Sequence, residues 1–184
     1  MKLKQLLAAA LLLCSAGAWA QTDVTSTYIT NAGFDESGDF QTGNVATGDS
    51  NQRKAVTGWT NTGGATYTTG AAIGFGTSGQ INGANLPSTN SDGTTTGGAL
   101  CLNAAWQSQV WYAQEVTLPA GNYTMTFKVN NVGKNSGFEK DPVMFSFTTT
   151  DGSSFSGNVH SYPVSTWTTQ TITFALAAET TGSI

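Results

Sequence analysis

Charge is what this sequence has least of. Asp, Glu, Lys and Arg make up 10% of its 184 residues, against about a quarter in an ordinary soluble domain. Cations are the scarcer sign, with seven Lys and Arg against eleven Asp and Glu and a formal net charge of −4. Two of the lysines, Lys2 and Lys4, fall in an N-terminal leader, which leaves five basic residues against eleven acidic ones. A chain so poor in cations lacks the basic footprint that nucleic acid requires. It is equally unsuited to an anionic membrane surface. There is one histidine, His160, and there are two cysteines, Cys14 and Cys101. That leaves no His/Cys set with zinc spacing and no disulfide framework. Beyond the leader no segment approaches the 18 or so consecutive apolar residues of a membrane-spanning helix, so no membrane insertion is expected. What fills the chain is Gly, 22 residues of it, with Thr, Ser and Asn. This composition disfavours helix and favours strands joined by turns.

Met1 to Ala20 reads as a secretory signal peptide: Lys2 and Lys4 are a positive n-region, Leu6 to Leu13 the apolar h-region, and Ala18-Trp19-Ala20 the small-x-small cleavage site. Leu11-Leu12-Leu13-Cys14 loosely resembles a lipobox, but it lacks the small residue before the cysteine. The expected product is a secreted chain starting at Gln21, in which Cys101 is the lone cysteine. Its apolar neighbours Ala99, Leu100 and Leu102 mark it as a small core residue. Residues 21–184 are enough for one domain with a core of its own.

Period-two alternation organises the second half of the chain. Val110, Tyr112, Gln114, Val116 and Leu118 alternate with Trp111, Ala113, Glu115 and Thr117; Tyr123, Met125, Phe127 and Val129 alternate with Thr124, Thr126 and Lys128. Pro119-Ala120-Gly121 between them predicts a tight hairpin with Gly121 at positive φ. Val143, Phe145 and Phe147 repeat the pattern before an Asp151-Gly152 turn, as do Ile172, Phe174 and Leu176. Asn61 to Gly98, rich in Gly, Thr, Asn and Ser, is expected to be long loops with short strands. Many short strands separated by turn signals predict an all-β fold, an antiparallel β-sandwich or jelly roll. Thr180 to Ile184 reads as the start of a strand, so a missing closing strand, an open edge and further C-terminal domains are expected.

Several segments then carry a resemblance. Asn31-Ala32-Gly33-Phe34-Asp35 followed by Gly58-Trp59 resembles the N-G-x-F-E … G-W opening of galactose-binding-like jelly rolls. Among these are carbohydrate-binding module families 4, 9 and 22 and N-terminal modules of secreted bacterial glycoside hydrolases. Gln114 to Thr124 resembles their Q-x-V-x-L-P-A-G-x-Y-T segment, and Trp167 with Thr171 to Phe174 resembles their late strand. The resemblance implies core roles for Trp59 and Trp167. It also implies a structural calcium ion at Asp35, which with Glu36 and Asp39 gives three acids within five positions. An acidic surface turn is the alternative reading of that cluster.

Three functions are weighed. As a non-catalytic carbohydrate-binding module, the domain would meet a poly- or oligosaccharide through aromatic platforms and amide partners. Trp106 and Trp111 are the candidate platforms, Gln107 and Gln109 their hydroxyl partners, and Tyr67 and Phe75 aromatics of the rim loops. A structural or adhesive surface domain with no sugar ligand is the alternative. An enzyme is not expected, since His160 has no Gly-x-Ser-x-Gly elbow to serve and the acids lie mostly in turns rather than as a facing pair. The intact mass of the exported protein tests the first of these readings: it is expected to begin at Gln21, and a lipidated start at Cys14 would contradict it.

Overall fold

The computed structural model describes residues 21–46, 52–62, 69–103, 110–132, 144–157 and 165–184. The leader, Tyr67, Trp106, Gln107, Gln109 and His160 lie outside these residues. Among the described residues, a single helical turn, α1 (Thr25–Tyr28), and a 3-10 turn at Ser37–Asp39 precede fourteen strands. In order they are β1 (Asn44–Val45), β2 (Gln52–Arg53), β3 (Thr60–Asn61), β4 (Thr69–Gly74), β5 (Gln80–Ile81), β6 (Ala84–Asn85) and β7 (Gly98–Asn103). Then come β8 (Tyr112–Ala113), β9 (Glu115–Leu118), β10 (Gly121–Asn130), β11 (Ser146–Thr149), β12 (Ser154–Ser156), β13 (Trp167–Leu176) and β14 (Thr180–Ser183). The fold is all-β, a sandwich built mainly of antiparallel pairs, as the alternation predicts.

One half of the sandwich sets a four-stranded sheet, β12-β11-β14-β9, against a long two-stranded ribbon, β10-β13. Val116 and Leu118 from β9, Phe147 from β11, and Ile172, Phe174 and Leu176 from β13 form the core between them, with Tyr123 and Met125 of β10 packed on it. Phe147, Phe155, Phe174 and Tyr123 make a run of stacked rings with centroids 5.0–6.3 Å apart. In the other half, β4 lies between β2 and β7 and all six of its residues are buried. Ala71 and Ile73 face a cluster with Val45, Ile81 and Cys101; Ala72 faces Val56 and Tyr112 on the opposite side. A strand covered on both faces has no alternation to show. Its small residues let neighbours approach closely: a Cβ on Gly70 would lie 2.8 Å from the ring of Tyr112. The stretch expected to be mostly loop therefore contains the most deeply buried strand. The β5-β6 hairpin beside it turns on Asn82-Gly83, both at positive φ (45° and 70°).

The Pro119-Ala120-Gly121 reversal is not a hairpin. β9 pairs with β14, and β10 pairs with β13 over ten residues, so the turn carries the chain from one layer of the sandwich to the other. Gly121 is the first residue of β10 and is not among the glycines at positive φ. The physical reason is that Val116 and Leu118 meet Tyr123 and Met125 across the core, which faces stacked in two layers allow and strands side by side in one sheet do not. The Tyr123 hydroxyl donates to Pro119 O at 2.8 Å and braces the arch. The last strand is not an edge either. β14 is paired on both sides, with β11 and β9, and Ile184 exchanges both backbone hydrogen bonds with Gln114 at 2.9 Å.

Two outcomes check this packing. Phe147 is fully buried, and Phe147→Ala is expected to cost about 3–5 kcal/mol in chemical denaturation, as other large-to-small core changes do. Burial pushes the Cys101 thiol up to about 12, so at pH 8 it is expected to resist a thiol reagent until the protein is unfolded.

Candidate functional site

The residues that carry the family resemblance converge on one structural clasp. Asn31 adopts a left-handed conformation (φ 50°), which asparagine tolerates better than most residues. Its Oδ1 accepts the backbone N–H of Asp35 at 3.0 Å, and its Nδ2 donates to Asp39 Oδ2 and Thr57 O, each at 3.1 Å. The Trp59 indole donates to Asn31 O at 3.1 Å, and its ring lies 4.9 Å from that of Phe34. Gly58, at φ +79°, must be glycine: a Cβ there would stand 2.8 Å from the Thr30 methyl. Gln114, buried on the apolar side of its strand, closes the clasp. Its Oε1 accepts Thr30 N–H at 2.7 Å, and its Nε2 donates to Thr30 O and Gly58 O at 2.9 and 2.8 Å. These motifs therefore build structure.

The acids expected to hold calcium do not gather around a common point. Both oxygens of Asp39 are taken by protein donors, the Thr57 N–H at 2.8 Å, the Thr57 hydroxyl at 2.7 Å and Asn31 Nδ2. Asp35 and Glu36 are exposed. Among the described residues no group of three or more His, Cys, Asp or Glu is placed to hold a metal ion.

Of the aromatics expected to meet a ligand, Trp111 and Phe75 are among the described residues. Trp111 is half-buried against Val56, Ala72 and Tyr112, with its indole N–H buried and without a partner. Its carbonyl accepts from Thr62 N–H at 3.1 Å and from Arg53 Nη1 at 3.4 Å. Phe75 is 7% exposed, so it belongs to the core rather than a rim. Its ring meets that of Trp167 edge-on at 6.1 Å.

A different surface collects polar groups, most of them exposed. The outward side chains of β10 and β13 stand in register across the ladder: Asn122 opposite Ala175, Thr124 opposite Thr173, Thr126 opposite Thr171, Lys128 opposite Thr169, and Asn130 opposite Trp167. The first four pairs are exposed on both strands. Thr126 and Thr171 share a hydrogen bond of 3.3 Å across the strands. At one end a shallow depression of about 430 Å³ is lined by Asn122, Tyr123, Thr124, Thr173, Phe174 and Ala175. At the other end Trp167 is half-buried and donates its indole N–H to Thr89 O at 3.2 Å. Beside it both polar atoms of the Asn130 amide are buried and have no hydrogen-bond partner. Asp92 lies near this end. Its carboxyl is held below the usual range, first by the Thr94 N–H and least by the charge of Lys128.

Comparison with known protein families, curated proteins and solved structures finds no match to this chain. The alternation of β10 marks Thr124, Thr126 and Lys128 as a polar face, but nothing in it singles out Asn130. The clasp has its own test. Gln114→Leu removes three part-buried hydrogen bonds, to Thr30 N–H, Thr30 O and Gly58 O, each worth about 0.5–1.5 kcal/mol. The variant is expected to melt well below the parent by calorimetry, and an unchanged melting temperature would show that the clasp does not hold the fold.

Proposed function

We propose that this domain is a non-catalytic glycan-binding module whose ligand lies along the outward face of β10-β13. The observation that carries this reading is the amide of Asn130. A buried donor and a buried acceptor left open on one side chain are costly and uncommon in folded proteins. A sugar hydroxyl, which both donates and accepts, satisfies either half. The neighbouring Thr124, Thr126, Thr169, Thr171 and Thr173 extend the same chemistry along the ribbon. Their spacing is about 4.8 Å between strands and roughly 6.7 Å along them. Methyl groups on the same side chains give the C–H faces of a sugar ring an apolar surface. Trp167 closes the row beside Asn130 with an aromatic ring. A calcium ion is not needed for recognition of this kind.

Affinity electrophoresis and calorimetry over a panel of plant, algal and microbial polysaccharides test the proposal. The wild-type domain is expected to bind at least one of them. Asn130→Ala, and separately Thr124→Val with Thr173→Val, are expected to weaken binding tenfold or more with the melting temperature held within a few degrees. Loss of binding in Trp111→Ala but not in the ribbon variants would move the site to the Trp111 region. A domain that binds no polysaccharide in the panel would instead be a structural or adhesive surface domain.

A further inference from the structure

We infer that the ligand of this face is an acidic polysaccharide, one whose sugars carry carboxylates, and that Lys128 is the residue that selects it. The inference rests on the reading of the ribbon as a glycan platform and adds the charge of the ligand. The outward side chains of β10-β13 are Asn122, Thr124, Thr126, Lys128 and Asn130 on one strand and the partners of each on the other. Among the described residues, the outward ladder positions hold one cation and no acid, in a chain with eleven acids and seven basic residues. Lys128 stands between the open hydroxyl row and the unpartnered amide of Asn130. It is exposed, and the one charged group that acts on it among the described residues is Asp92, through space and without an ion pair. An acid opposite a lysine across the strands would pair with it; here the group opposite is the hydroxyl of Thr169.

A carboxylate on a sugar ring supplies the missing partner. The ammonium would hold it by a charge-assisted hydrogen bond, while Asn130 and the threonines take the neighbouring hydroxyls. Asp92 acts in the opposite sense. Its carboxylate Oδ1 accepts the Thr94 N–H at 2.9 Å, so the group is fixed near Lys128 and repels an anionic ligand. Two substitutions, one on the face and one on the turn beside it, therefore have opposite expected signs. A neutral ligand held by hydrogen bonds to Lys128 and Asp92 would lose affinity with either.

The experiment compares polygalacturonate and alginate with their esterified, uncharged forms, using the whole chain from Gln21. The acidic polymers are expected to bind at least tenfold more tightly than the esters. That preference is expected to shrink as NaCl rises from 50 to 500 mM, where screening is strong. Lys128→Met, which keeps the aliphatic stem, is expected to lose roughly tenfold for the acid and nothing for the ester. Asp92→Asn, which keeps the acceptor for Thr94, is expected to strengthen binding of the acid severalfold. Equal binding of acid and ester, indifference to Lys128→Met, or weaker binding in Asp92→Asn would overturn the inference. If a neutral polysaccharide binds through Asn130 while both acids fail, the glycan reading stands and the charge inference falls. If no polysaccharide binds, both fall.

Discussion

The structure depends on the side-chain amide of Gln114. It sits between β8 and β9, 8% exposed, and pairs with the backbone of Thr30 as a neighbouring strand would, accepting the N–H and donating to the carbonyl. A further donor bond reaches Gly58 O, while the backbone of Gln114 exchanges two bonds with Ile184. One residue thereby ties the N-terminal segment, the Gly58 turn, the strand after Trp111 and the last strand together. Only an amide fits this position without cost. A carboxylate could not donate, and a hydrocarbon of the same volume would make none of the three bonds. Trp59 and Asn31 continue the clasp outwards, and Asp39 anchors it through Thr57.

The arch at Pro119-Ala120 follows from the same economy of burial. By sending β9 and β10 into opposite layers it turns the apolar faces of both inward, onto Phe147 and Phe174. Every polar residue of β10 is then directed outward, with Thr124, Thr126 and Lys128 opposite threonines of β13. The hydroxyl-rich face is thus a by-product of core formation in its placement, though not in its chemistry. Packing requires only that these positions be polar. It does not require that half of them be threonine, that the one charge be a lysine, or that the row end in an amide with both atoms unfilled.

The period-two patterns of β9, β10 and β13 were legible because each strand buries one face only, and exposure alternates along most of each strand. Strand partners were not legible. A Pro-Ala-Gly turn looks the same whether it joins neighbours in one sheet or crosses between two, and the choice is made by contacts with β11, β13 and β14. The strand β4 was hidden because it is covered on both sides and built from Gly and Ala, which carry no periodic signal. Asn31, Trp59 and Gln114 stood out as a motif, yet their hydrogen-bonding role needs three distant segments brought together. Asn130 was invisible for a related reason: its interest lies in being buried at a strand end without a partner. Large aromatics drew attention to Trp111, whose ring packs against Tyr112 and Val56.

The central claim is that the outward face of β10-β13 is the ligand surface, and an NMR titration of the isotope-labelled domain with polysaccharide fragments tests it most directly. The account predicts that shift changes concentrate on the outward residues from Asn122 to Asn130 and from Trp167 to Ala175, with the side-chain amide of Asn130 among the largest. Changes confined to the strand around Val110 and Trp111, or spread through the core with the ribbon unaffected, would contradict it.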